Sequence, residues 1–121
     1  MTDSFEIHID ETRDSIVAAS ANGPLHPEGA QIFKVSCLES LEQGFRHLIV
    51  DLGGVGFVCS SGVGALLVVS EAFEAKGGSV FLVNPSKEVE HVLNLLYLLD
   101  ELNVLPSREK AFDVLAATEM S

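Results

Sequence analysis

The stretch that constrains this chain most runs from Val50 to Gly78, VDLGGVGFVCSSGVGALLVVSEAFEAKGG. An apolar run, His47–Leu52 (HLIVDL), leads into it with the composition of a central strand covered on both faces. A glycine-punctuated loop follows, and then the turn Cys59-Ser60-Ser61-Gly62-Val63-Gly64. Beyond the turn, Val63, Leu66, Leu67 and Phe73 mark the core face of a helix, and Glu71, Glu74 and Lys76 mark its wet face. Gly77-Gly78 ends that helix.

The two serines sit where the helix begins. A hydroxyl at a helix N-cap accepts a hydrogen bond from an unpaired backbone N–H, and the helix start favours nearby negative charge, so the position suits a phosphate. Capping alone also accounts for a serine there. Gly54–Gly64 contains no Gly-Lys-Ser/Thr sequence, and no lysine occurs between Gly54 and Lys76, so this is not a nucleotide-cradling loop. A phosphate at this turn would be covalent.

The flanking chain supplies the rest of an α/β pattern. Phe5, Ile7 and Ile9 alternate with Glu6, His8 and Asp10 as in an edge strand, Thr12-Arg13-Asp14 reads as a polar break, and Ser15–Ala21 reads as the second arm of a hairpin. Pro27 precedes a helix whose apolar positions are Ile32, Val35, Leu38 and Leu41, widened by Ala30, Phe33, Cys37 and Phe45. Ser79–Asn84 reads as a strand, and Ser86 as the cap of a helix with Val89, Val92, Leu93 and Leu96 inside. Leu102–Leu105 is a short extended piece. In the final helix Ala111, Phe112, Leu115 and Ala116 pack, Arg108, Glu109, Lys110 and Asp113 are solvated, and Thr118–Ser121 frays. Helices and strands alternate from residue 28 onward, which predicts parallel strands joined by right-handed crossovers.

Composition narrows the function. With 121 residues, 47% of them hydrophobic, the chain can bury a core without metal or disulfides. Eighteen acidic against seven basic residues give a net charge of −11, which disfavours nucleic acid and anionic membranes and fits basic or neutral protein partners. No run approaches the length of a membrane span, and Met1–Glu6 lacks the opening of a secretory signal. Cys37 and Cys59 do not form a secreted disulfide framework, so a cytoplasmic location fits. His8, His26, His47 and His91 show no metal-ligand spacing with the cysteines, and no cofactor is called for.

Cys59 has two readings, a small apolar filler or a thiol activated by the helix start. Pairing Cys59 or Ser61 as nucleophile with His26 as base would make an enzyme, but neither residue stands in a Gly-x-Ser-x-Gly elbow, and no enzyme is read here. The glycines of Gly53-Gly54-Val55-Gly56 and Gly62-Val63-Gly64 either let a partner's backbone approach, with Val63 or Leu66 partly exposed, or serve only tight turns.

An ordered set of segments resembles the STAS domain, the fold of bacterial anti-sigma factor antagonists that also occurs at the C-terminus of sulfate transporters. The segments are Leu48–Leu52, Val55–Val58, Ser60–Leu67, Gly77–Val80 and the closing Ala111-Phe112. The resemblance implies one STAS-like domain over residues 1–121, core about 4–117, with a mixed four- to five-stranded sheet and about four helices. It also implies that Ser61, the serine before the glycine, is phosphorylated by a kinase of ATPase fold that is itself the anti-sigma factor, with a phosphatase for reversal. Unmodified antagonist then binds the kinase and frees the sigma factor. The implied binding surface is His26, Cys59, Ser60, Ser61, Gly62, Val63 and Leu66.

Two positions depart from the family pattern: Cys59 and His26 stand where the family usually has aspartates. If those carboxylates orient the hydroxyl or are read by the kinase, Ser61 is a poor substrate or its kinase reads a different surface; otherwise fewer negative charges make a phosphate easier to hold, and a protonated His26 would pair with it. The alternative is a non-phosphorylated STAS adaptor subunit of a transport or signalling complex, for which the missing acids matter little.

Overall fold

The computed structural model describes residues 4–119. In chain order the elements are β1 (Glu6–Arg13), β2 (Ile16–Asn22), α1 (Pro27–Glu42), β3 (His47–Gly54), α2 (Ser60–Ala75), β4 (Ser79–Val83), α3 (Lys87–Leu95), β5 (Val104–Leu105) and α4 (Arg108–Glu119). The five strands lie in the order β1-β2-β3-β4-β5. β1 runs antiparallel to β2, and the remaining pairs are parallel, with Val50 between Ala19 and Leu82. The sheet is therefore mixed, with four helices, as the α/β pattern and the STAS resemblance predict.

The topology explains the layering. Each parallel connection steps to the next strand in the same direction, and crossovers of one hand then place their helices on one face. Side-chain packing agrees. Val17, Leu48, Val50, Leu52, Val80 and Leu82 pack with Phe33 of α1, Leu66 and Phe73 of α2 and Leu93 of α3. On the opposite face Ile16, Ala18, Ile49, Phe81 and Val83 pack under Ala111 and Leu115 of α4. β3 thus feeds both faces, which is why it reads as a nearly unbroken apolar run.

Several local readings are corrected. Thr12 and Arg13 belong to β1, and the hairpin turns at Asp14, whose φ of 52° an aspartate tolerates. The buried face of α1 is Gly29, Ala30, Phe33, Cys37 and Ser40, whereas Ile32 and Val35 are 40% and 46% exposed. A strict three-residue walk falls about 60° short of a full turn at every step, so Ile32, Val35, Leu38 and Leu41 cannot share one face. Leu96, expected inside, is exposed just beyond the end of α3, as is Ala116 on α4.

Arg108 is not merely solvated. Its guanidinium pairs with Asp10 at 2.7 Å and Glu11 at 3.7 Å, tying the start of α4 to β1. The Ser20 hydroxyl donates to the same Asp10 carboxylate, and these two donors hold its pKa below the usual value, Ser20 contributing most. α4 continues through Thr118 to Glu119, and Met120 and Ser121, the rest of the stretch expected to fray, lie outside the described residues, as do Met1–Asp3. Among the described residues no helix is long and apolar enough to cross a membrane.

Candidate functional site

The candidate site is built where the β2–α1 loop crosses the start of α2. Leu25 N–H donates to the Phe57 carbonyl at 2.8 Å, and Cys59 N–H donates to the Leu25 carbonyl at 3.0 Å. These bonds keep residues 57–59 extended, so Cys59 becomes the N-cap of α2 and its carbonyl accepts the first helical bond, from Val63 N–H at 3.0 Å. Serine does not cap this helix, contrary to the sequence reading. Cys59 makes no side-chain cap bond, and Ser60 and Ser61 are the first two helical residues.

That placement turns both serines outward. Ser60 and Ser61 are exposed, and the Ser61 hydroxyl has no hydrogen-bond partner among the described residues. The next residues point the other way. Gly62 is buried, and a Cβ built on it would stand 2.7 Å from both the Leu25 carbonyl oxygen and Val58 Cγ2, so only glycine fits. Val63 and Leu66 are 8% and 1% exposed, which corrects the expectation that either would be a contact residue open to a partner.

The loop before α2 is fastened from below. Asp51 Oδ1 accepts from Gly53 N–H at 2.8 Å and from Asn84 Nδ2 at 3.2 Å. Ser86 caps α3 as predicted, accepting from Val89 N–H at 3.2 Å, and its hydroxyl donates to the Val55 carbonyl at 2.6 Å. The end of β3 and the loop that leads to α2 are therefore held by Asn84 and Ser86.

His26 has a structural task. It is the N-cap of α1, and its Nδ1 accepts from Gly29 N–H at 3.2 Å. Its ring borders a shallow depression with Gly56 and the exposed Phe57, whereas Ser61 borders a different groove. The residue after His26, Pro27, lines the groove that Ser61 borders, and the His26 Nδ1 is engaged in the cap of α1.

The groove at Ser61 lies between α1 and α2 and encloses about 310 Å³. Ser61, Gly64 and the exposed Val68 form one wall, with Pro27, Gln31 and Lys34 forming the other. Lys34 was missed from the sequence, although a signal was present. It is the single basic residue of α1, and the residues one turn away, Ala30, Gln31, Cys37 and Leu38, include no acid to engage it. The two thiols also differ: Cys37 is buried and burial pushes its pKa up, whereas Cys59 is half-buried at the helix start.

Comparison with known proteins adds to this geometry. A model of the STAS domain matches residues 9–111. BtrV of Bordetella bronchiseptica, provisionally named an anti-sigma factor antagonist, is 24% identical over 98 residues, covering 81% of this chain and 84% of BtrV. An anti-sigma factor antagonist from Mycobacterium paratuberculosis has a similar structure, with a TM-score of 0.82 at 19% identity over 94% of this chain and 96% of that one. The anti-sigma factor antagonist SpoIIAA is similar in its unphosphorylated form, with a TM-score of 0.75 at 22% identity over 93% and 97% of the two chains. For Bacillus SpoIIAA in the phosphorylated form the TM-score is 0.70 at 22% identity, over 91% and 99%. At these identities the structural likenesses speak for the fold.

Proposed function

This chain belongs to the STAS domain family, and we propose that it is an anti-sigma factor antagonist whose partner binding is switched off by phosphorylation of Ser61. The partner is an anti-sigma factor that is also a serine kinase of ATPase fold. The kinase moves the γ-phosphoryl group of ATP to Ser61 Oγ, the hydroxyl loses its proton and ADP leaves. A phosphatase reverses the step.

The observation that carries this reading is the environment of Ser61. At the start of α2 Ser61 is exposed and its hydroxyl has no hydrogen-bond partner among the described residues, while Gly62, Val63 and Leu66 beside it are buried. A kinase can reach that oxygen without unfolding the helix. The relatives support the role, since BtrV and SpoIIAA are both named as anti-sigma factor antagonists and SpoIIAA has been solved in a phosphorylated form.

The physical consequence is repulsion at an interface. A phosphate adds about −1.5 to −2 charges at neutral pH and must be desolvated if a partner covers it. The partner surface consistent with this geometry is the Ser60–Ser61 turn with Phe57 and Val68, exposed by 53% and 45%. Incubation with the cognate kinase and ATP tests the assignment. A phosphopeptide covering Ser61, absent from Ser61→Ala, is the expected product, and its absence from the unaltered protein contradicts the reading.

A second reading, a non-switching adaptor, is favoured by one observation. The two positions at which the family resemblance leads one to expect acids carry Cys59 and a His26 engaged in capping α1. Pull-down separates the two readings. Recovery of an ATPase-fold kinase that ATP releases supports the switch, and recovery of transporter subunits insensitive to ATP supports the adaptor.

A further inference from the structure

We infer that the α1–α2 groove is an intramolecular phosphate-binding site, in which Lys34 pairs with the phosphate carried by Ser61. The inference rests on Ser61 being a modification site and goes beyond it by naming the residue that receives the phosphate. Lys34 and Ser61 both line one groove of about 310 Å³, on α1 and α2 respectively.

The first argument is charge. Of the seven Lys and Arg residues, Arg13 and Arg108 pair with carboxylates among the described residues, and Lys34 is one of the five that do not. Lys34 has no ion pair or hydrogen bond among the described residues, although α1 also carries Glu28, Glu39 and Glu42. None of these stands one turn from it. Lys34, a half-buried residue on the groove that Ser61 lines, is thus left without an anion until the serine acquires one.

The second argument is space. Gly64 follows Ser61 by one turn on the same wall, and a Cβ built on Gly64 would meet nothing within 4 Å. Unlike Gly62, it is not required by packing, and glycine inside a helix weakens it relative to alanine. Leaving that position bare keeps the path between the two walls open. Gln31, one turn before Lys34 on the opposite wall, offers an amide that can donate to a phosphate oxygen.

The third argument is placement on the helix. The phosphate of a residue in the first turn of α2 lies near the positive end of the helix dipole, which adds to the attraction of Lys34. Together they moderate the effect of new negative charge on a chain already at −11. Lys34 is on this account a phosphate-positioning residue, and its loss alters the modified form without altering the unmodified one.

The test installs phosphoserine at position 61 during translation, so that no kinase is needed. The second ionisation of the phosphate is followed by phosphorus NMR against pH. In the otherwise unaltered protein it falls below the value of about 6 for free phosphoserine. Lys34→Gln raises it by roughly half a pH unit, the effect of one solvent-accessible cation, and Lys34→Arg keeps it low. The Lys34 Nζ resonance also moves when the unaltered protein carries the phosphate, a reading that needs no lysine variant. Identical titrations for the unaltered and Lys34→Gln proteins, with an unmoved Nζ resonance, overturn the inference. Because the phosphate is installed directly, a kinase that ignores Ser61 counts against the proposed function and leaves this result standing.

Discussion

Gly62 sits so close to the Leu25 carbonyl that a Cβ on it would stand 2.7 Å from the oxygen, and this contact locks the β2–α1 loop onto the first turn of α2. Gly62→Ala therefore forces backbone apart and is expected to lower stability by about 1–3 kcal/mol in urea unfolding. Gly64→Ala, two residues on and in open space, is expected to raise it by up to about 1 kcal/mol. Equal midpoints for Gly62→Ala and the unaltered protein would contradict the packing account.

Leu66 and Val68 separate stability from binding. Leu66 is 1% exposed in the core, so Leu66→Ala should cost about 2–5 kcal/mol of stability. Val68 is 45% exposed on the groove, and Val68→Ser should change stability by less than about 0.5 kcal/mol while weakening partner binding. Calorimetric melting paired with a binding titration reads both. A Val68→Ser protein that binds as before would remove Val68 from the contact surface.

The Asp10–Arg108 pair gives a pH dependence of known sign. The folded-state pKa of Asp10 is lowered from 3.8, chiefly by the Ser20 hydroxyl and then by Arg108. A depressed carboxylate pKa contributes stability that is fully present above the unfolded value and lost as pH falls through the folded one. Asp10→Asn should therefore cost about 0.5 kcal/mol at pH 7, the scale of a partly exposed ion pair, and the difference should vanish in acid below the folded pKa. Urea midpoints measured across that range check it, and a difference that grows toward low pH would contradict it.

The two thiols should react apart. Burial holds Cys37 protonated and out of reach, while Cys59 is half-buried at the start of α2. A colorimetric thiol reagent should label Cys59 alone in the native protein and both cysteines in urea. Rapid native labelling of Cys37 would show that α1 does not pack as described.

The central strands were legible because β3 has to be apolar on both faces, and Ser86 was legible because capping depends only on its own turn. The buried face of α1 was not. Its inner residues include Ser40, 4% exposed, while Ile32 and Val35 look outward, so hydrophobicity alone points to the wrong side. The helix start was displaced for a different reason. Leu25, far back in the chain, bonds Cys59 N–H and makes cysteine rather than serine the cap, a tertiary contact that no local pattern encodes. Lys34 stands out in the sequence as the lone cation of α1, but its place on the groove with Ser61 depends on α1 and α2 lying side by side.

The central claim is that charge on Ser61 decides whether the partner binds, and calorimetric titration of the anti-sigma kinase into the unmodified and Ser61-phosphorylated proteins tests it most directly. At least a tenfold weaker affinity, about 1.4 kcal/mol, is predicted for the phosphorylated form. Equal affinities for the two forms would contradict the account.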